Sequence, residues 1–345
     1  MRSVLRPALF VPLIFLWWSF SIFIPTETAI AEPAIAGTPA SPVTAAPTEA
    51  KTVSILFIGN SYTYSPTIGE FDDPAVPKFV QAIAESAQPG LTVRYSFYTM
   101  GGYSFEKHFR DPNSVAQFSR RYDKIVLQGQ SIESLEMTPW MIGQGYKGLA
   151  SFVEYLPKML RLACAVSPEV TLYVNWGWNF KHPLLRDEHP GIHFPADHPR
   201  AGSKWSGRDK FEFQDRIEQS YAQQLSLWPK EQGLVRLSLV GRSWLLLQQS
   251  DLVAEDELYI ADDWSHSSAL GAFVAALVLA RDVLAVDIAQ STFFPSGIDP
   301  KRALEIQSFL ANAQSAAIGS DVQSSPSTKI STSGSKRYLE TYVDQ

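Results

Sequence analysis

The chain of 345 residues contains one cysteine, Cys164. No internal disulfide is possible, which excludes a small scaffold stapled by bridges. Cys164 sits in the apolar stretch LPKMLRLACAV, a setting that suits an inert packed thiol better than a nucleophile. Basic residues do not cluster, and 29 Lys and Arg against 35 Asp and Glu leave a formal net charge of −6. A nucleic-acid groove needs a stripe of positive charge against the phosphates, and none is present. Neither G-x-x-x-x-G-K-[ST] nor a G-x-G-x-x-G after the first apolar run occurs. The usual backbone cradles for nucleotide phosphates are therefore missing. No internal repeat is found, which excludes a stacked-repeat architecture.

What is present begins with an export signature. Arg2 and Arg6 precede an uncharged apolar run from Pro7 to Ile24, and Ala29-Ile30-Ala31 supplies small residues where a signal peptidase cuts. Residues 1–31 thus read as a secretory signal cleaved after Ala31. The run is also about long enough to span a bilayer, so a retained membrane anchor is the alternative. Residues 32–51 are rich in Ala, Pro and Thr, and 315–345 open on a Ser-rich stretch. Neither has enough large apolar surface to offset its ordering entropy, so they read as a linker and a disordered tail. One domain is expected over 52–314.

Within that domain five apolar runs recur: Ser54–Ile58, Thr92–Tyr98, Lys124–Leu127, Val170–Asn175 and Leu234–Val240. Nearly continuous apolar runs of this length suit parallel strands covered on both faces. Helical patterns alternate with them over Ala75–Ser86, Tyr146–Val166, Phe213–Trp228 and Ala269–Leu284. Alternation of this kind predicts a doubly wound parallel sheet in an α/β/α sandwich, with ligands bound outside the carboxyl ends of the strands. The strand exits read Gly59-Asn60-Ser61, Gly101-Gly102, Gln128-Gly129-Gln130, Trp176-Gly177-Trp178 and Gly241-Arg242-Ser243.

Two of these features point to nucleophilic chemistry. Ser61 follows the first strand directly, at a turn where backbone N–H groups stand ready to hold an oxyanion. A turn or cap serine is the simpler alternative. Far along the chain, Asp263 and His266 lie three apart in a loop before the last helical pattern. Such a loop can fold a carboxylate onto Nδ1–H of the imidazole and leave Nε2 free to take a proton from serine. Ser267 or Ser268 then caps the helix.

Taken together, these blocks resemble the SGNH (GDSL-like) hydrolase family. The first block, usually GDS-like, is Gly59-Asn60-Ser61; the second is Gly102-Tyr103-Ser104; the last is Asp263 to His266 before the final helix. The resemblance implies a flavodoxin-like sheet, a Ser61–His266–Asp263 triad, and an oxyanion hole that includes the Ser61 and Gly102 N–H groups. The third block departs from the family pattern. In place of G-x-N-D the chain has Gln128-Gly129-Gln130, similar to a Q-G-E variant of some carbohydrate esterases. A glutamine amide offers the same NH₂ donor on a longer stem, with Gln128 preferred over Gln130. The Asp-to-Asn change before Ser61 carries no mechanistic reading at this level.

Several other sites stand beside this constellation. The segment 176–209 holds His182, His189, His193 and His198, with Asp187, Glu188 and Asp197 among them. Its prolines prevent helical presentation of His189 and His193, so no metal site is assigned. Trp176, Trp178 and Trp205 make the segment a substrate-covering loop suited to the flat faces of sugars. His108 is an alternative base in the wrong block. The expected activity is hydrolysis of an O-acetyl or other short acyl ester on an extracellular carbohydrate, without a cofactor. Acyl transfer between glycans, or a glycan-binding module that lacks catalysis, are the alternatives.

Overall fold

The computed structural model describes residues 50–70, 72–185, 199 and 209–319. The signal or anchor, most of the linker, Trp205 and most of the histidine-bearing loop lie outside the described residues, as does 320–345. Among the described residues no helix is long and apolar enough to cross a membrane.

Five strands form one parallel sheet: β1 (Lys51–Gly59), β2 (Leu91–Thr99), β3 (Lys124–Leu127), β4 (Glu169–Val174) and β5 (Leu234–Leu239), in the order β2-β1-β3-β4-β5. This is the flavodoxin-like doubly wound order that the alternating pattern predicts. Ile55, Leu56, Phe57 and Ile58 are consecutive and all buried. That is possible only where both faces of a strand are covered, which is why no polar residue alternates with them. Lys51, assigned to the linker, already pairs with Leu91.

The chain steps from β1 to β2 in one direction and from β3 through β5 in the other. The short helices α3 (Phe105–Arg110), α4 (Pro112–Ala116) and α5 (Pro139–Gly143) lie in the connections around β3, and right-handed crossovers place α2 (Ala75–Ala87) on one face and α6 (Leu149–Cys164) and α7 (Lys210–Ser226) on the other. On α6, Phe152, Tyr155, Leu156, Met159, Leu160 and Ala163 are buried, the i, i+3, i+4 stripe of a helix laid on a sheet. α9 (Ala269–Leu284) differs. Every residue from Gly271 to Ala280 is buried, because α2, α8 (Val240–Gln249) and α10 (Pro300–Gly319) all pack against it. Its apolar sequence all round records that environment.

Two sequence expectations change here. Gly241-Arg242-Ser243, read as a strand-exit loop, is the first turn of α8. Arg242 there forms ion pairs with Asp215 and Glu218 of α7, an interhelical contact rather than part of a site. The final helix also runs to Gly319, past the predicted domain end at 314.

Candidate active site

The order reverses beside β1, and the exit loops of β1, β2 and β3 meet there, where such folds bind ligands. Ser61 opens the short helix α1 (Ser61–Tyr64). Its N–H, like the others in a first turn, has no acceptor within the helix. The turn is tight enough to require Gly59: a Cβ there would collide with Thr63 Oγ1 and lie 2.9 Å from Gln128 Oε1. Gly102 has φ +67, and a Cβ there would meet nothing within 4 Å. Glycine at 102 thus answers a left-handed backbone rather than crowding.

Asp263 and His266 reach Ser61 from a loop folded twice on itself. Asp262 and Trp264 both take left-handed φ, 70 and 59, conformations that cost of order 1–3 kcal/mol and persist only where surroundings impose them. The surroundings are visible. The Asn179 N–H donates to Trp264 O (2.9 Å), and the Ile260 N–H donates to His266 O (2.9 Å). Tyr259 and Ser267 form an antiparallel bridge, and Ser268 caps α9 by accepting from Gly271 N–H at 3.1 Å. The outcome is a continuous line. His266 Nε2 lies 2.7 Å from Ser61 Oγ, and His266 Nδ1 lies 2.6 Å from Asp263 Oδ2. Asp263 Oδ1 accepts from the N–H groups of Ser265 (2.8 Å) and His266 (2.9 Å), and from the Ser265 hydroxyl. Burial acts to raise the Asp263 carboxyl, but the hydrogen bonds from His266 and Ser265 outweigh it and hold the group well below the usual carboxylate range. Asp263 is therefore an acceptor at both oxygens, and the proton between it and His266 sits on Nδ1.

The two glutamines have different surroundings. Gln128 is fully buried behind the nucleophile turn. Its Oε1 accepts from Asn60 N–H (2.9 Å) and Thr63 Oγ1 (3.0 Å), and its Nε2 donates to Gly129 O. It shapes the turn, and one of its two amide hydrogens is committed to Gly129 O. Gln130 is partly exposed, and its Oε1 accepts from Lys147 N–H at 3.3 Å. Glu133, not singled out from sequence, is buried and accepts from Gln130 N–H (3.0 Å) and Phe105 N–H (3.2 Å). Burial pushes its carboxyl up to about 8 against those two donors.

The tryptophans are held by specific partners. Trp176 is 1% exposed, stacked on Trp244 with centroids 3.8 Å apart and planes 8° apart. Its Nε1 donates to Ser265 O at 2.9 Å. Trp178 is 5% exposed, lies against His182, and donates to Tyr62 Oη (3.0 Å) and Ser131 Oγ (2.9 Å). Both indoles brace the His266 loop or the Ser61 helix through these hydrogen bonds, and both also line a pocket shared with Phe180, Phe213 and Trp244. Tyr146, read from sequence only as the start of a helix that in fact begins at Leu149, is half-buried edge-on to Trp178 at 5.8 Å. Burial raises its hydroxyl and the Asp263 charge adds to it, so it belongs to the site's neighbourhood. It lies outside the motif blocks, and no sequence signal marked it.

Neither alternative chemistry gains from the structure. His108 is fully buried, with Nε2 3.0 Å from Gly59 O and Nδ1 3.0 Å from Ser114 Oγ. Nε2 must carry its hydrogen to donate to a carbonyl, so His108 is a clamp on the end of β1 and no base for Ser61. The Cys164 thiol is pushed up to about 11 by burial. Of the four loop histidines only His182 lies within the described residues, and among these no group of three potential ligands gathers.

The His108 clamp carries a stability prediction. Burial, opposed by the hydrogen bond to Gly59, lowers its imidazole from 6.5 to about 4. Between those values the unfolded chain binds more protons than the folded one. The contribution is therefore full above pH 6.5 and is lost as pH falls towards 4. Its size is on the order of 3 kcal/mol. His108→Gln, which keeps a side-chain donor, is expected to flatten that acid decline. Urea midpoints at pH 7 and pH 5 measure it, and an undiminished slope in the variant would place the acid sensitivity elsewhere.

No family model and no curated protein matches the chain. Among solved structures it is similar to a DUF4886 family protein from Bacteroides uniformis. The two are 16% identical with a TM-score of 0.53, over 77% of this chain and 96% of that one. Weaker likenesses reach an acetylxylan esterase from Geobacillus stearothermophilus (14% identity, 66% and 93% covered, TM-score 0.43) and a lipase/acylhydrolase from Enterococcus faecalis (14%, 67% and 94%, 0.41). At such identities the shared property is the α/β fold.

Proposed function

We propose that the protein is an exported serine esterase that hydrolyses O-acetyl or other short acyl esters on a carbohydrate. The observation that carries this reading is the unbroken hydrogen-bonded line from Ser61 Oγ through His266 to Asp263. Ser61 Oγ attacks the acyl carbon while its proton passes to His266 Nε2. The carbonyl oxygen becomes an oxyanion held by the N–H groups of Ser61 and Gly102 and by the amide of Gln130. His266 returns the proton to the departing sugar oxygen as the C–O bond breaks. Water then adds to the acyl-serine with His266 again as base, releasing the acid and restoring Ser61. About a quarter of the His266 side chain and a third of that of Asp263 are exposed. Such openness to water favours hydrolysis over acyl transfer.

Export is supported by Arg2 and Arg6, the apolar run and Ala29-Ile30-Ala31. The carbohydrate substrate is supported by the Gln128-Gly129-Gln130 block and by the aromatic content. The direct test follows acetate release from an acetylated polysaccharide and p-nitrophenol release from p-nitrophenyl acetate. Failure on both substrates would sink the esterase reading; failure on the polysaccharide alone would sink the carbohydrate assignment. The two glutamines are expected to separate. Gln130→Ala should lower kcat by about 10²–10³, as for loss of one oxyanion donor, with folding unchanged. Gln128→Ala should lower the Tm, because it strips acceptors from Asn60 and Thr63. A kcat loss confined to Gln128→Ala would reverse the assignment.

A further inference from the structure

Asn60 stands where the resembled family usually has aspartate, and its surroundings explain the difference. The side chain is buried, with 1% exposure. Nδ2 donates to Tyr103 O at 2.8 Å and to Gly129 O at 3.2 Å, while Oδ1 accepts from Tyr62 N–H at 3.1 Å. Tyr103 follows Gly102 in the β2 exit loop, and Gly129 precedes Gln130 in the β3 exit loop. One carboxamide therefore ties together the three backbone segments that converge on Ser61. Two carbonyl oxygens on one side and one N–H on the other match an amide's donor and acceptor ends. A carboxylate would set a charged oxygen against two carbonyl lone pairs with no hydrogen between them.

We propose that Asn60 is a positioning residue. Its Nδ2 draws the β2 and β3 exit loops to the spacing at which the Gly102 N–H and the Gln130 amide reach the oxyanion, and a carboxylate at 60 is incompatible with that spacing. The inference rests on the esterase reading. The titratable groups on the elements packed around Asn60 are His108 on Gly59 O, Glu133 on the Gln130 and Phe105 N–H groups, Lys107 with Nζ 3.0 Å from Gly102 O, Tyr62 and Tyr103, whose hydroxyls burial pushes up, and the His266–Asp263 pair beyond Ser61. All of these are present in both the wild type and a variant at 60, so in the ratio of the two rates what remains is the carboxyl at 60 and its effect on these neighbours.

The experiment compares wild type and Asn60→Asp across pH 6 to 9 with p-nitrophenyl acetate. Rates are expressed per site labelled at Ser61 by a fluorophosphonate. At alkaline pH the variant's kcat is expected to fall about 10–10²-fold, the scale of an ångström misplacement of catalytic groups, with KM less affected. As pH falls, a protonated carboxyl regains one O–H donor, so the variant-to-wild-type ratio of kcat should rise. A merely structural role predicts a lower Tm and fewer labelled sites, with kcat per site unchanged and the ratio flat in pH; that result overturns the proposal. If Asn60→Asp does not fold, Asn60→Ala decides. A pH-independent loss of at least about 10-fold per labelled site supports positioning, and an undiminished kcat refutes it. Failure of the esterase reading itself shows separately, as wild type that neither hydrolyses the ester nor takes the label at Ser61.

Discussion

Ser61→Ala is expected to reduce ester hydrolysis by a factor on the order of 10⁴ or more, the scale on which an activated serine contributes. Among the described residues no other hydroxyl has the same setting: Ser61 Oγ sits 2.7 Å from an imidazole nitrogen whose ring is held at its far side by a carboxylate. Ser265 Oγ is bonded to Asp263, and Ser65 and Ser267 bond each other at 3.0 Å. The Tm should change little, since Oγ points to the site and the turn is held by Asn60, Gln128 and Thr63. Covalent labelling by a fluorophosphonate should map to Ser61 in the wild type and vanish in the variant. Labelling that persists, or maps to another serine, would remove Ser61 from the role.

Asp263→Asn is expected to cost about 10⁴ in kcat, and His266→Ala about 10²–10⁴. The asparagine prediction follows from acceptor counting. Asp263 Oδ1 receives two backbone N–H groups and a hydroxyl, positions that an NH₂ group cannot fill. The new NH₂ must therefore turn to the other side, where Oδ2 now receives His266 Nδ1–H. A donor there forces Nδ1 to accept and moves the imidazole hydrogen to Nε2, which then cannot take the Ser61 proton. The loss should appear in kcat with KM and Tm nearly unchanged. An Asp263→Asn enzyme within tenfold of wild type would show that His266 is not oriented by this carboxylate.

The central strands β1, β3 and β4 were legible because burial on both faces leaves continuous apolar segments, the edge strands β2 and β5 are more exposed, and α9 was readable from end to end. The short α1 and the first turn of α8 were not, because Gly59-Asn60-Ser61 and Gly241-Arg242-Ser243 look alike as strand exits. Only the first ends in a serine that meets an imidazole. The second is a helix start whose arginine finds Asp215 and Glu218. The hydrogen bonds of Trp176 to Ser265 O and of Trp178 to Tyr62 and Ser131 were not legible, since sequence shows a side chain's area but not its partners.

By itself the sequence determined the alternating α/β order and brought a serine, a glycine, two glutamines and a D-x-x-H pair to strand exits or a pre-helix loop. Those follow from local periodicity and turn chemistry. The tertiary structure decided which polar side chain faces which partner. Asn60 reaches Tyr103, 43 positions away, and its backbone N–H reaches Gln128, 68 positions away. Gln128 is buried behind the nucleophile turn, whereas Gln130 is partly exposed. Donor and acceptor pairings among buried amides depend on loops that meet only when the sheet is assembled, and no local pattern in the chain encodes them.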